Sequence, residues 1–456
     1  MNDVTSETKP DPNFAFRTDG YAWFVVLMLC LAAIISFIDR QIISLLVDPI
    51  KEDLGISDTQ VSLLQGFAFA LFYSAAAIPM GRLVDSKNRK TIILAGMVLW
   101  SIATTICGLA KVFWQLFIAR MMVGVGEATL SPAGFSMLAD YFPRKSLTRA
   151  LSVFTGSSFL GTGIALLVGG FVISKMTEIG PVDMGLLGTI RPWQMTFLIV
   201  SIPGLIFALI VWLLVREPPR LGTPTPKTAS HTDEALSLGQ AWQYLVDHNT
   251  VILPVVFGFT FLTVAMFSVS AWVPAYFMRT HGMTAGEIGS IFGLYFVTLG
   301  SAGVVTGGLF SDWLKGRGYN DSNMRAGFIS ALLATPFLAT FTLVPDKDLS
   351  LILLAPVVFF GTMPFGTGPS ALPLIVPNRL RGQMVAIYLL VANVIGQGGG
   401  PFLVAVFTDY VLGDPNLIRY SISVVCPTVM LIGAAILFYG KKPYAEHIRK
   451  IDAELA

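Results

Sequence analysis

Four ionisable side chains interrupt long apolar runs early in the chain. Asp39 and Arg40 stand in SFIDRQ, and Arg120 and Glu127 stand in ARMMVGVGEA. A charge facing lipid at the centre of a bilayer costs about 2.5–3.5 kcal/mol on insertion scales. Such groups therefore turn toward a protein interior or a wet cavity, and they are functional by default. Arg120 and Glu127 are seven residues apart, which puts them on one face of a helix after two turns. Asp39 and Arg40 diverge by about 100° on theirs. The spacing leaves two readings open. The four groups can form a charge network that fastens two helices. Alternatively, Asp39 or Glu127 is a carboxyl that takes up and releases a proton as a cavity opens first to one side and then to the other. The protonation of such a carboxyl depends on how dry its surroundings are and how near an arginine lies. Movement of Arg40 or Arg120 would then couple proton binding to shape.

Other chemistry is not offered. His231, His248, His281 and His447 lie in loops or the tail and form no ligand set, so no metal is expected. No nucleophile sits beside a base. GVGEA and GQGGG follow no strand, and no GK[ST] is present, so neither is a phosphate loop. Cys30, Cys107 and Cys426 each fall inside an apolar run, without metal-ligand spacing. Neither an enzyme, a cofactor nor a nucleic-acid partner is expected.

The elements that position the charges follow from composition. Of 456 residues, 54% are hydrophobic and 13% charged, with a mean hydropathy of +0.70. That charge content is about half of what a soluble surface uses, which excludes a soluble protein. Twelve stretches reach the roughly 20 apolar residues needed to cross a bilayer. They lie near 20–46, 60–80, 91–110, 113–138, 150–174, 193–215, 251–277, 288–310, 327–345, 351–376, 384–411 and 419–440. The expected fold is an all-α membrane protein with twelve transmembrane helices in two pseudo-symmetric six-helix bundles. The bundles occupy 20–215 and 251–440. A polar tail precedes them (1–19), a Pro- and Thr-rich linker joins them (216–250), and a second tail follows (441–456). The first tail lacks the basic start of a signal peptide. The end of the linker, AWQYLVDH, can form a short surface helix.

Basic residues set the orientation. Seven of the 30 Lys and Arg lie on one side: Lys51, Lys111, Lys175, Arg191, Arg279, Lys347 and Arg419. Two lie within spans, and the remaining 21 lie with the termini and the linker. Both termini are therefore expected in the cytoplasm, in a cell (inner) membrane.

The halves echo each other. GRLVDSKNRK follows span 2 and GLFSDWLKGR follows span 8, with Gly81/Asp85 matching Gly308/Asp312. Pro143, Arg144 and Arg149 after span 4 match Pro377, Arg379 and Arg381 after span 10. Such a duplication is typical of transporters. On these motifs the chain resembles the major facilitator superfamily over essentially its whole length. Gly81, Asp85, Arg89 and Lys90 fit that family's loop signature, while Ser86 and Asn88 depart from it. FIDR in span 1 with RMMVGVGEA in span 4 resembles the spinster branch, whose members move sphingolipids and lysolipids; a bacterial homologue of that branch is expected. The organic-anion symporter branch has similar pairs. The resemblance implies alternating access, Asp39 as main proton site, and Glu127 and Arg120 as modulators. It also implies a cytoplasmic gate in which Asp85 caps the start of span 11 near Gly382 and Arg89 pairs with Asp140, beside Lys90 and Arg144.

The second half carries no charge at span depth. Its expected cavity wall is apolar and mildly polar, drawn from Tyr276, Tyr295, Phe365, Tyr388, Asn393 and Gln397, with Phe261, Phe267, Trp272 and Phe359 as further candidates. One charged wall and one greasy wall suit a substrate with an ionic head and an apolar tail. The head, a phosphate or zwitterion, would pair with Arg40 or Arg120. The expected function is thus secondary active, proton-coupled transport of a lysolipid or sphingoid phosphate by a monomer in the bilayer. Small organic anions such as sugar acids or drugs are the alternative. The Gly-rich stretches 156–170 and 396–401 read as close helix packing.

Overall fold

The computed structural model describes residues 20–185, 188–220, 238–377 and 380–455. His231, Arg379, the first tail and most of the linker lie outside the described residues. With no water in the bilayer core, apolar runs close their backbone hydrogen bonds within each segment as helices. Among the described residues ten helices are long and apolar enough to span: Gly20–Leu45 (span 1), Asp58–Ser86 (2), Arg89–Leu109 (3), Lys145–Ile179 (5), Pro192–Leu214 (6), Asn249–His281 (7), Ala285–Gly316 (8), Lys347–Ala371 (10), Arg381–Leu412 (11) and Pro415–Ile451 (12). Span 4 is split into Phe113–Glu127 and Leu130–Tyr141. Span 9 is Ser322–Thr340.

Local signals set the helix starts. Ser57 and Gln60 form a capping box ahead of span 2, and Thr284 and Glu287 form another ahead of span 8. The Asn88 side chain accepts from Thr91 N at 2.9 Å at the start of span 3. Several spans are locally rewound. Span 1 ends in a 3-10 turn, Ile42–Leu45. Spans 2, 8 and 11 carry π-turns at Leu63–Phe67, Phe296–Gly300 and Ala392–Gly399.

Spans 1–6 pack as one bundle and spans 7–12 as the other. The bundles meet chiefly where span 5 crosses span 8 and where span 2 crosses span 11. Both crossings need glycine. A Cβ on Gly66 would sit 2.6 Å from Gln397 O, and a Cβ on Gly293 would sit 2.6 Å from Gly163 O. Backbone-to-backbone approach of this kind leaves no room for a side chain.

Three details differ from the sequence reading. A two-residue hairpin, Val182–Asp183 against Thr189–Ile190, joins spans 5 and 6. The linker starts folded, since Glu217 and Arg220 bond to spans 2 and 3; its end forms the short helix that the sequence allowed, Leu238–Asp247. The segment set apart as a second tail continues span 12 as one helix, Ile418–Leu455.

Candidate functional site

The four intramembrane charges divide into a sealed pair and a pair that lines a cavity. Asp39 and Arg120 are fully buried. Span 1 stops being α-helical at Gln41, which leaves its last carbonyls without intrahelical partners. Arg120 fills them: Nη1 donates to Asp39 O at 2.8 Å and Nη2 to Arg40 O at 3.4 Å. Its Nε donates to Leu64 O at 3.3 Å, in the π-turn of span 2. Arg120 is thus a clamp on backbone ends, and it lines none of the cavities described here. The expectation that it meets a substrate head is not met in this conformation. Asp39 also lines none of these cavities. Neither of its carboxylate oxygens has a hydrogen-bond partner, although Arg120, Glu127 and Thr104 bear on it electrostatically or at close range.

Arg40 and Glu127 form the cavity-lining pair. Arg40 Nη2 donates to Glu127 Oε2 at 2.6 Å, and the same oxygen accepts from Ser36 Oγ at 2.7 Å. The guanidinium carbon lies 4.1 Å from the centre of the Phe69 ring and 4.7 Å from that of Phe37, a cation–π cradle that favours the charge. Both residues line a cavity of about 160 Å³ within the first bundle, with Ser131 and Tyr73. Arg40 alone of the four charges also borders the cavity between the bundles.

That central cavity is about 300 Å³. Its walls include Phe37, Phe159, Met266, Phe267, Phe296 and Phe365, with Tyr388, Asn393 and Gln397. The Phe159 and Phe365 rings meet edge to face across the bundles at 5.4 Å. Of the expected wall, then, Phe365, Tyr388, Asn393 and Gln397 face the cavity and two residues do not. Tyr276 is buried near the end of span 7, its hydroxyl among Ser350 Oγ, His281 Nε2 and Thr342 O at 3.0–3.3 Å. Tyr295 donates to Leu351 O at 3.2 Å within the second bundle. Each phenol found an in-bundle acceptor distant in sequence, which spacing alone does not show. Trp272 likewise packs inside, donating to Pro401 O at 2.9 Å.

At the end carrying the termini, Arg89 donates to the Asp140 carboxylate, to Glu217 Oε1 at 2.7 Å and to the carbonyls of Ser136 and Pro218. Glu217 also accepts from the Lys90 backbone N at 2.8 Å, an anion at a helix start. Lys90 Nζ donates to Trp212 O at 2.6 Å. The Asp85–Gly382 contact, expected to close this end in the outward-open state, is not made in this conformation. Asp85 and Gly382 are both exposed, Gly382 and Gly81 have open space where a Cβ would point, and Asp85 gives its backbone carbonyl to Arg220. The capping acid at a nearby helix start is Glu217, on span 3. The Arg144 side chain lies outside the described residues.

The opposite end holds residues the sequence reading passed over as loop charges. Arg279, at the end of span 7, donates to Asp48 Oδ1 at 2.7 Å and to Asp58 Oδ1 and Oδ2 at 2.8 Å. Lys51 joins Asp58 at 2.5 Å. Asp409 of span 11 accepts from Thr59 N and Oγ1 at 2.7 and 2.6 Å. The available signal was an acid-rich first loop, VDPIKEDLGISD, set against a lone arginine in the matching loop of the other half. Deeper in, Gln41 and Gln65 of the first bundle reach Ser270 and Ala271 of the second.

Two helical bundles that enclose a cavity, sealed at one end by ties between the bundles, define a membrane carrier. The family model of the Major Facilitator Superfamily matches residues 29–401. The chain belongs to that superfamily, and it is a multi-pass membrane transporter, not an enzyme. It is 27% identical over 434 residues to an MFS-type efflux pump of Mycolicibacterium smegmatis, covering 94% of each chain. It is 27% identical to protein spinster homolog 1 of Xenopus laevis, covering 94% of this chain and 82% of the relative. Among solved structures it resembles a bacterial homolog of the human lysosomal transporter spinster in an inward-facing, unoccupied conformation. That match has a TM-score of 0.77 at 25% identity and covers 95% of this chain and 98% of the other.

Proposed function

We propose that the chain moves an anionic amphiphile, a lysolipid or sphingoid phosphate, by proton-coupled alternating access. One observation carries this reading: the central cavity offers a single positive charge, Arg40, within a wall that is mostly aromatic and aliphatic. An anionic head pairs with the guanidinium, and each methylene moved from water onto such a wall contributes about 0.8 kcal/mol. A bilayer offers the tail the same gain, so the head sets specificity. With the termini in the cytoplasm, as the basic bias expects, the sealed end faces outward and the conformation is inward-facing.

Proton coupling follows from the two carboxyls. Glu127 borders a cavity, whereas Asp39 is sealed with no donor on its oxygens. Burying a carboxylate without partners is costly, so Asp39 is the group whose charge state the fold feels most. Head binding at Arg40 competes with Glu127 for the same guanidinium and frees Glu127 to exchange a proton. Uptake of lysophosphatidate, sphingosine phosphate and gluconate into proteoliposomes, with and without a pH gradient, tests the reading. Gradient-dependent lipid uptake is expected in the wild type, with the gradient dependence lost in Asp39→Asn. Saturable gluconate uptake with no competition from lipid would instead favour the organic-anion reading, which the amides near Arg40 support.

A further inference from the structure

The roof of the central cavity holds a small polar niche that neither the charge pairs nor the apolar wall explains. It measures about 60 Å³ and lies beside Arg40, where Phe37, Gln41, Gln65, Ser270 and Gln397 converge. Both bundles contribute. Gln41 Nε2 donates to Ser270 Oγ at 3.0 Å, and Gln65 Nε2 reaches Ala271 O at 3.4 Å. A backbone carbonyl only accepts, so the amide end facing Ala271 is the NH₂ and Gln65 Oε1 is the end left over. Gln65 is 7% exposed, and this oxygen has no hydrogen-bond partner. Arg40 Nε is also buried without a partner. Buried polar atoms in folded proteins are nearly always paired, and each exception calls for a reason. An unpaired acceptor and an unpaired donor on residues that line one niche suit a group that can give and take a hydrogen bond. A hydroxyl is such a group. The space admits on the order of four water-sized groups, which suits a short hydroxylated terminus and excludes an acyl tail.

We propose that this niche is a head-group subsite for a hydroxyl carried close to an oxyanion, the oxyanion pairing with Arg40 and the hydroxyl donating to Gln65 Oε1. This rests on the reading of the central cavity as an anion-binding site. The chemistry is shared by the glycerol phosphate head of a lysolipid and the hydroxycarboxylate end of a sugar acid. The site also touches the seal, because a ligand hydroxyl competes with Ser270 for Gln41 and so weakens a bond between the bundles.

The test measures binding to the purified full-length protein in nanodiscs by isothermal titration, using two matched probe pairs. One pair is 1-oleoyl lysophosphatidate and its 2-deoxy analogue; the other is gluconate and 2-deoxygluconate. In the wild type the hydroxylated member of at least one pair binds tenfold or more tighter. In Gln65→Met that ratio falls to within twofold while the deoxy member keeps its wild-type affinity, which also shows that the variant is folded. Ser270→Ala frees Gln41 Nε2 for the ligand hydroxyl and raises the ratio about threefold; it stands in if Gln65→Met fails to fold, and an unchanged ratio there overturns the subsite. Equal binding of both members by the wild type, or an unchanged ratio in Gln65→Met, overturns the subsite. Lysophosphatidate binding with no hydroxyl preference in either pair sinks the subsite and leaves the lipid reading standing. A preference confined to the gluconate pair keeps the subsite and sinks the lipid reading. No binding of any probe overturns both.

Discussion

The two ends of the molecule are tied by different kinds of bond. At the end away from the termini the ties run between bundles: Arg279 to Asp48 and Asp58, Asp409 to Thr59, and deeper Gln41 to Ser270. At the terminal end the ties described above stay within a bundle and its own linker segment. Arg89, Asp140 and Glu217 tie the first bundle, while Tyr244, Tyr444 and His447 reach carbonyls at Ala371 and Ile375 in the second. The difference teaches which bonds a rocking motion must break. Opening the sealed end costs every tie between the bundles there. Closing the terminal end leaves its own ties intact.

The largest expected effect comes from attacking the strongest tie. Arg279→Ala leaves the fully buried Asp58 with Lys51 alone, and removing one partner of a buried pair costs about 3–5 kcal/mol. Spin labels at the sealed ends of spans 1 and 7 should show a longer mean separation in the variant. An unchanged distance distribution would break the comparison.

Gly66→Ala is expected to act in the same direction with less force. Its Cβ would press on Gln397 O, and overpacking costs about 1–3 kcal/mol. The same label pair should report a partial shift, larger than that of an Ala placed at Gly81, which has open space around it.

Glu217→Gln probes the terminal end. It weakens the anion at the start of span 3 and the partner of Arg89, at a cost of about 0.5–2 kcal/mol. Thermal unfolding in detergent should fall by a few degrees while the separation of the bundles stays as it was. A change in that separation would mean that the terminal ties also gate.

The smallest effect is reserved for an exception at the sealed end. Tyr276 ties only its own bundle, so Tyr276→Phe removes about 1 kcal/mol of hydrogen bonding and shifts neither the label distances nor the uptake rate. Loss of uptake would restore Tyr276 to the substrate path.

Much of this was legible from one physical fact: long apolar runs and a few costly charges stand out in a sequence. The runs placed the spans, and charges inside runs marked Asp39, Arg40, Arg120 and Glu127. What those charges touch was less legible. Arg120 serves backbone carbonyls that are free only because span 1 rewinds at Gln41, and nothing in the residue types announces that. Arg279 and Asp58 sit outside apolar runs, so each read as ordinary loop charge, and their pairing depends on how two bundles lean together. Tyr276 shows the same limit from the other side, since Ser350, its partner, lies 74 residues away.

The helix Ile418–Leu455 runs 38 residues, or about 57 Å at 1.5 Å per residue, well beyond the roughly 30 Å of hydrocarbon it must cross. Tyr444 and His447 pin its far portion to the second bundle. The final turns are therefore a stiff mast on one half of the carrier. A small helical protein fused in register after Leu455 would ride on that half without a swivel, giving electron microscopy a fixed mark by which to align images and read the tilt of one bundle against the other.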